Sequence, residues 1–565
     1  MGLFKRWSIN LIFALAGLVY LLGMLVEIMD VDSAQYALIS REMLESGNFL
    51  EVYLQGNNYL DKPPLLFWIS ALSFKLFGYA NWSFRLGSVL FSAVGVISTY
   101  KLGNLLYNKR IGFVAALMLM SSQAFISMNQ DVRTDTILAS AVVLSVWQLT
   151  EFLYYKQKRN LVWGFVGIAI AMMTKGPIGL MVPILALGSY AIGRKRYRDL
   201  FKVEWLIGLG ITLVLLLPMS YGLYTQFDQH PEKVLAFNSD AGVVRKDSVS
   251  GLKFYFWDQS FGRITGENVW SNDSGPDFFI HTFLWSFIPW SILAVWAIFW
   301  RVIVTTNDII KGQKKQEWLT LGGFILPFIA FSLSQYKLPH YINVILPFAA
   351  IITSEFTLRV VYEKSKGWYR AAYIIQGLNI LALILIYALC QFWFFPDTAV
   401  PWTIFGVFGL GTGVYFYWKG AAIDKLILST LFCMLTANVY LNGQFYPELM
   451  KYQPSDRVAA DIKRLNIDED HFFVSFPPGG FSLAYYTGFN LTNIREESLD
   501  TTEFPRNSFY YGSNSELEML REHGIDYQVI HTYPTFHVTK LSLQFLNPET
   551  RNEVVGQANL VKLLP

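Results

Sequence analysis

Asp30-Val31-Asp32-Ser33-Ala34-Gln35-Tyr36, then Ser40-Arg41-Glu42-Met43-Leu44, then Tyr59-Leu60-Asp61-Lys62-Pro63-Pro64 form the first polar segment after a long apolar run, Ile9–Ile28. The apolar stretch Leu65–Phe77 follows it directly. A run of about 20 apolar residues is long enough to cross a bilayer. The acid-rich segment behind it therefore sits at a membrane edge, where ionisable side chains are costly and usually serve a purpose.

Working outward, the composition fits that placement. Of 565 residues 53% are hydrophobic and 15% charged, where a soluble chain carries about 25% charged. Apolar runs recur at Arg85–Tyr107, Ile111–Met128, Thr136–Tyr155, Leu161–Thr174, Gly176–Gly193, Trp205–Tyr221, His281–Trp300, Trp318–Ser334, Tyr341–Leu358, Tyr373–Phe395, Trp402–Trp418 and Leu426–Leu441. With Ile9–Ile28 they make about thirteen spans of a polytopic α-helical membrane protein. The first run follows Lys5-Arg6 and is too long for a signal-peptide core, so it counts as a span.

Alternate loops hold the basic clusters: Lys109-Arg110, Lys156 with Lys158-Arg159, Arg194-Lys195-Arg196, Lys311 with Lys314-Lys315, Lys364 with Lys366, and Lys419 with Lys425. The positive-inside rule puts these and the N-terminus in the cytoplasm. The opposite side receives the Asp30–Pro64 loop, Asn129–Asp135, Gly222–Ile280, Ser334–His340 and the C-terminal segment. From about Asn442 the chain reads as alternating short strands and helices, with a helix at Asp456–Leu465, strands at Phe472–Phe476, Tyr527–His531 and Asn559–Leu564, and a helix at Ser515–His523 ending on Gly524. The expected organisation is a transmembrane domain over 1–441, with external loops 30–84 and 222–280, and a small external α/β domain over 442–565.

Several charged residues converge on the external side. Asp32 opens a weakly amphipathic segment, Ser33–Glu45, and Asp32-Ser33-Ala34-Gln35 has the spacing of a helix capping box. The same carboxylate has the chemistry of a general base for a sugar hydroxyl, with Asp30 beside it. Lys62 is either a snorkelling side chain or a point charge for a lipid phosphate held rigid by Pro63-Pro64, with Asp61 orienting it. Asp131 and Asp135 flank Arg133, an arrangement that serves equally as a local ion pair and a helix-dipole contact. Lys175 interrupts an apolar hairpin and is expected to pair with one of these acids. Lys337 and Arg263 add basic charge on the same side. The two cysteines, Cys390 and Cys433, lie inside apolar runs and give no disulfide framework. Histidine–cysteine metal motifs and a glycine-rich phosphate loop are both absent, so any divalent metal would need carboxylates, with Asp61 the candidate.

At these residues the chain resembles the GT-C glycosyltransferases related to aminoarabinose lipid A transferase and to the dolichyl-phosphate-mannose protein mannosyltransferases. The marks are Asp32 with Tyr36-Ala37-x-Ile39-Ser40-Arg41-Glu42-Met43-Leu44, Asp61-Lys62-Pro63-Pro64, Arg85-Leu86, Arg133-x-Asp135, Thr174-Lys175-Gly176-Pro177 and Lys337-Leu338-Pro339-x-Tyr341, in order across the first 350 or so residues. The resemblance implies the GT-C fold and a sugar donor carried on a polyprenyl (undecaprenyl) phosphate. It also implies transfer to a glycolipid, polysaccharide or protein acceptor on the periplasmic face of a bacterial inner membrane. Carried over by position, Asp32 is the essential loop acid, with Asp135 or Asp131 the second acid and Tyr36 in support. Lys62, Arg263, Lys175 and Lys337 face the donor phosphate. Two departures stand out: Ser33 replaces the Glu that often follows the loop acid, and Asp258, Gln259 and Ser260 stand where relatives carry a metal-binding histidine. The expected function is inverting transfer by a monomer that contacts no nucleic acid. A flippase or transporter of lipid-linked sugars is the rival class, and a polysaccharide ligase or polymerase is the rival within the fold.

Overall fold

The computed structural model describes residues 4–564 apart from 240–241, 261, 263–273, 312–316, 364–365, 397–399, 476–479, 495, 500–501 and 503. The side chains of 236–239, 242–243 and 308–309 also lie outside the description. Every apolar run recognised in the sequence falls on helix. Among the described residues, seven helices are long and apolar enough to cross a membrane, or nine if each of two bent pairs is one span. The difference from thirteen lies in four further helices. Ile178–Gly193 and Leu319–Ser332 are short, Lys158–Lys175 carries three cations, and Val400–Lys419 is diluted by glycine and aromatic polar residues. Helices packed among others need less apolar length of their own, because neighbours rather than lipid satisfy their surface.

The bundle is a multi-pass membrane protein. Its centre is built on Thr134–Tyr155 and Leu346–Tyr362, whose side chains are almost all buried. On the periphery, Glu204–Leu223 leaves Leu206, Ile207, Leu213, Val214 and Leu217 exposed, as a lipid-facing helix must. Close approach relies on small residues: a Cβ on Gly112 would stand 2.3 Å from the Tyr100 carbonyl oxygen of the preceding helix.

Local signals set the elements that frame the polar end. Asp32–Ser46 is a helix that stops at Gly47, whose φ of +69° a side chain disfavours. The capping box expected at its start does not form: Val31 occupies the cap position, and the Asp32 side chain turns away toward Arg133. Leu65–Phe77 begins after Pro64, which takes the cap position and accepts from Trp68 N–H at 2.9 Å. Lys158–Lys175 and Ile178–Gly193 form a tight hairpin through Gly176, at φ +76°, and Pro177. That turn leaves Lys175 as the last residue of its helix, beside the first turn of Thr134–Tyr155.

The helix that begins at Ala422 continues through Asn442 to Met450 before the polar domain starts. Beyond it stands a five-stranded sheet in the order Thr492–Asn493, Phe472–Val474, Phe509–Ser513, Gly556–Leu563, Tyr527–Thr535. The first two pairings are parallel and the last two antiparallel. Helices Ser455–Arg464 and Asn514–Glu522 and the Gly524 stop (φ +74°) match the sequence expectation closely.

This domain is fastened to the Asp30–Pro64 loop. Its Gly480–Thr487 helix packs on Asp32–Ser46. Arg41 Nη1 donates to the Tyr485 carbonyl at 2.6 Å, and the Tyr486 hydroxyl accepts from Ile28 N–H and donates to Asn81, both at 2.8 Å.

Candidate active site at the loop end of the bundle

Three ion-paired groups meet at this end. In the first, Arg133 bridges two carboxylates, contacting Asp32 through Nη1 and Asp131 through Nη2 at 2.7 Å. The planar guanidinium suits this shared role, because its donors fan out in fixed directions. Ser33 adds to the same joint, its hydroxyl accepting from Val132 N–H at 3.2 Å. The residue that stands where a second acid was expected therefore ties the Asp32 helix to the Asp131–Arg133 strand of loop.

The second group is buried. Asp135, in the first turn of its helix, is 1% exposed and accepts from Lys175 Nζ at 2.6 Å. His340 Nε2 lies 3.7 Å from the other carboxylate oxygen, and the Lys175 ammonium sits 4.0 Å from the centre of the Tyr341 ring. Lys175 was expected to pair with an acid; Asp135 is that acid. Arg133, expected between Asp131 and Asp135, pairs instead with Asp131 and Asp32.

In the third group Lys62 Nζ contacts Asp61 at 2.7 Å, and Gln259 donates from its side-chain amide to the Asp61 carbonyl. The second and third groups share one space. Lys62, Lys175, Gln259, Ser260 and Tyr341 line a single cavity of about 80 Å³. A water needs about 10–15 Å³, so the cavity has room for a phosphate-sized group beside these residues.

The remaining candidates separate. Lys337 is outside that cavity lining, and its Nζ donates to the Ser274 carbonyl at 2.7 Å. Arg263 lies outside the described residues. Asp30 turns away from Asp32 and into the C-terminal domain, accepting from Ser482 N–H at 3.2 Å and from its hydroxyl. Burial pushes the Asp30 carboxyl up to about 6, against the pull of those two hydrogen bonds. Tyr36 is buried against Phe67. Burial first, then Tyr59, Asp61, Asp135 and Asp131, holds its phenol well above the usual tyrosine range, so it stays a neutral hydroxyl. Among the described residues no group of three or more His, Cys, Asp or Glu side chains could hold a metal ion, Asp61 included.

Some participants were not singled out beforehand. Tyr341 belongs to a sequence motif, Gln259 to a departure from the resembled pattern, and His340 to the end of an external loop, without a role assigned to any of them from sequence. Arg85 is fully buried and donates to the backbone carbonyls of Gln130, Val26, Glu27, Met24 and Asn81. It closes the end of the first span rather than meeting a substrate.

Comparison with known proteins agrees with this architecture. A family model described as dolichyl-phosphate-mannose-protein mannosyltransferase matches residues 61–222, which take in Asp61, Lys62, Asp131, Arg133, Asp135 and Lys175 but not Asp32. The chain is 26% identical over 374 residues to an undecaprenyl phosphate-alpha-4-amino-4-deoxy-L-arabinose arabinosyl transferase of Pseudomonas fluorescens, covering 64% of this chain and 62% of that one. It is 28% identical over 325 residues to a similarly named protein of Proteus mirabilis, covering 56% and 52%. These alignments span less than two thirds of the relatives' own length. The crystal structure of ArnT from Cupriavidus metallidurans bound to undecaprenyl phosphate superposes with a TM-score of 0.72 at 15% identity, over 98% of this chain and 97% of that one. That superposition shows that this chain has the GT-C fold. The GT-C likeness extends past the bundle into the C-terminal sheet domain, since nearly the whole of both chains is covered.

Proposed function

We propose that this GT-C protein is a glycosyltransferase that takes a sugar from a polyprenyl phosphate, of the undecaprenyl type, and delivers it to an envelope acceptor. The observation that carries the proposal is the cavity shared by Lys62 and Lys175, whose ammonium groups are held by Asp61 and Asp135. Relatives named as undecaprenyl-phosphate-aminoarabinose transferases support this choice of donor.

The reaction breaks the bond between the anomeric carbon and the phosphate oxygen. The polyprenyl phosphate departs with the bonding electrons, and Lys62 and Lys175 stabilise the negative charge that develops on it, so no strong acid is required. An acceptor oxygen attacks the opposite face of the anomeric carbon, and its proton passes to Asp32, which Arg133 holds in position. Asp131 shares that guanidinium, and Asp135 fixes Lys175. One displacement inverts the anomeric configuration, so product stereochemistry tests the single-step mechanism. The acceptor is a lipid A-like glycolipid or another envelope molecule.

Sidedness follows from charge. The alternation of basic loops along the sequence supports a cytoplasmic N-terminus, with this site and the C-terminal domain facing the periplasm of a bacterial inner membrane. The decisive experiment compares envelope glycolipids and glycoproteins by mass spectrometry in cells carrying wild-type or Asp32→Asn protein. Loss of one glycan species is expected. An unchanged profile with the variant present at normal level removes the proposal.

A further inference from the structure

A second cavity, larger than the one at the ion-paired site, lies at the C-terminal domain. A space of about 410 Å³ lies between the Asp30–Val31 turn and one face of the C-terminal sheet. Cross-strand pairing explains why room exists there. Ser513 stands opposite Ala558, and Thr535 opposite Gly556, so small residues share the sheet face beyond Tyr511. Tyr452 and Phe536 form the facing wall, fixed by Phe545, which stacks on Phe536 at 3.9 Å and meets Tyr452 edge-on at 4.9 Å.

The lining restricts the occupant by its chemistry. None of the described residues that line the cavity is a lysine or arginine. A phosphate or carboxylate ligand would have to leave water beside Asp30 with no lysine or arginine of the lining to meet it, which is costly. Hydrogen-bonding capacity is nevertheless present. Tyr511 lines the space, and its hydroxyl makes no hydrogen bond to another described residue, which leaves it available to an occupant. Hydroxyls of Ser513 and Thr535 and aromatic surface from Tyr452 and Phe536 share the same space. Polar atoms set among flat apolar faces match a ligand with hydroxyl groups around a ring whose C–H faces are apolar.

We infer that this cavity binds an uncharged saccharide unit, with the Tyr511 hydroxyl as a direct hydrogen-bond partner. The site is separate from the Lys62–Lys175 cavity, and the inference does not rest on the transfer reaction, because binding is read directly.

The full chain is placed in phospholipid nanodiscs, which avoids the sugar headgroups of glycoside detergents. Ligand-observed saturation-transfer NMR is then run with methyl glycosides of a hexose, a pentose and an N-acetylhexosamine. At least one is expected to bind saturably with Kd on the order of 1 mM. Tyr511→Phe, which removes only the hydroxyl, is expected to weaken it about 5- to 10-fold. Ala558→Leu, which grows a side chain into the space, is expected to abolish it. No saturable binding of any of the three would overturn the inference. So would binding that both variants leave unchanged, or a signal displaced by a fatty acid and not by a second sugar, which would mark an alkyl-chain pocket.

Discussion

Replacing Lys175 by Met keeps the length and apolar stem of the side chain and deletes its charge. Asp135 is then left 1% exposed with His340 Nε2 at 3.7 Å as its nearest basic group. Removing one member of a buried pair generally costs about 3–5 kcal/mol, because the other charge stays desolvated and uncompensated. Asp135→Asn alone should cost less, since the Lys175 ammonium keeps the Tyr341 ring at 4.0 Å and borders a cavity. The double variant removes both charges, so it should regain about 2 kcal/mol or more relative to the sum of the single losses. Unfolding entropy of about 2.1 cal/mol/K per residue gives roughly 1.2 kcal/mol/K over 565 residues. Lys175→Met should therefore lower the melting midpoint by about 2.5–4 °C, and the double variant by clearly less than the two single shifts added. Scanning calorimetry of the four proteins in one detergent measures this. Additive shifts would mean that the two groups do not depend on one another, and the pairing argument would fail.

Lys62→Met should weaken polyprenyl phosphate binding by about 10- to 150-fold, the loss of one charge-assisted contact, with Lys62→Arg in between; titration followed by native mass spectrometry reads this. Asp32→Asn should lower transfer of a labelled sugar in isolated membranes by about 10²–10⁴ at unchanged protein level. Asp131→Asn should lower it less, because Arg133 still reaches Asp32. Asp30 carries a pH signature. Its folded value of about 6 exceeds the unfolded value of about 3.9, so its ionisation works against the folded state. That penalty is absent below about pH 4, grows to about pH 6 and totals about 3 kcal/mol above it. Asp30→Asn should accordingly gain stability over wild type as pH rises from 4.5 to 7.5, read as the difference in melting midpoints. Arg85→Met strands the Val26 and Glu27 carbonyls at the end of the first span and should cost about 2–6 kcal/mol, at about 1–3 for each unsatisfied acceptor. Arg85→Lys should rescue it only in part, since an ammonium cannot span five acceptors; yield and melting midpoint report both.

The bundle was legible because membrane spanning imposes a pattern that does not depend on tertiary detail. A largely apolar 20-residue segment such as Arg6–Leu25 must be helical in lipid, whatever it packs against. The shorter and more polar spans, Ile178–Gly193 and Lys158–Lys175, fall below that rule and depend on neighbours for burial. Turn chemistry was equally local: Gly176-Pro177 and Gly524 end helices in the structure as their residue types require. Asp32-Ser33-Ala34-Gln35 misled for the same local reason. Its capping-box spacing is real, but a guanidinium arriving from Arg133 outcompetes the backbone N–H groups for the Asp32 carboxylate.

Which acid serves which base was not legible, because that depends on how helices rotate against one another. Arg133 lies two residues from both Asp131 and Asp135, and the sequence treats them alike. The turn into Thr134–Tyr155 separates them: Asp135 faces inward to Lys175, while Asp131 stays with the loop and shares Arg133 with Asp32. The same reasoning divides Asp30 from Asp32. One spacer residue puts them in a single motif, yet Ser482, more than 400 positions away, draws Asp30 into a different domain. The loop is thus gripped at two places, by the bundle through Arg133 and by the C-terminal domain through Asp30 and Arg41. An acid held this way cannot shift without breaking contacts on both sides, which is the preorganisation that the proposed transfer to an acceptor oxygen requires.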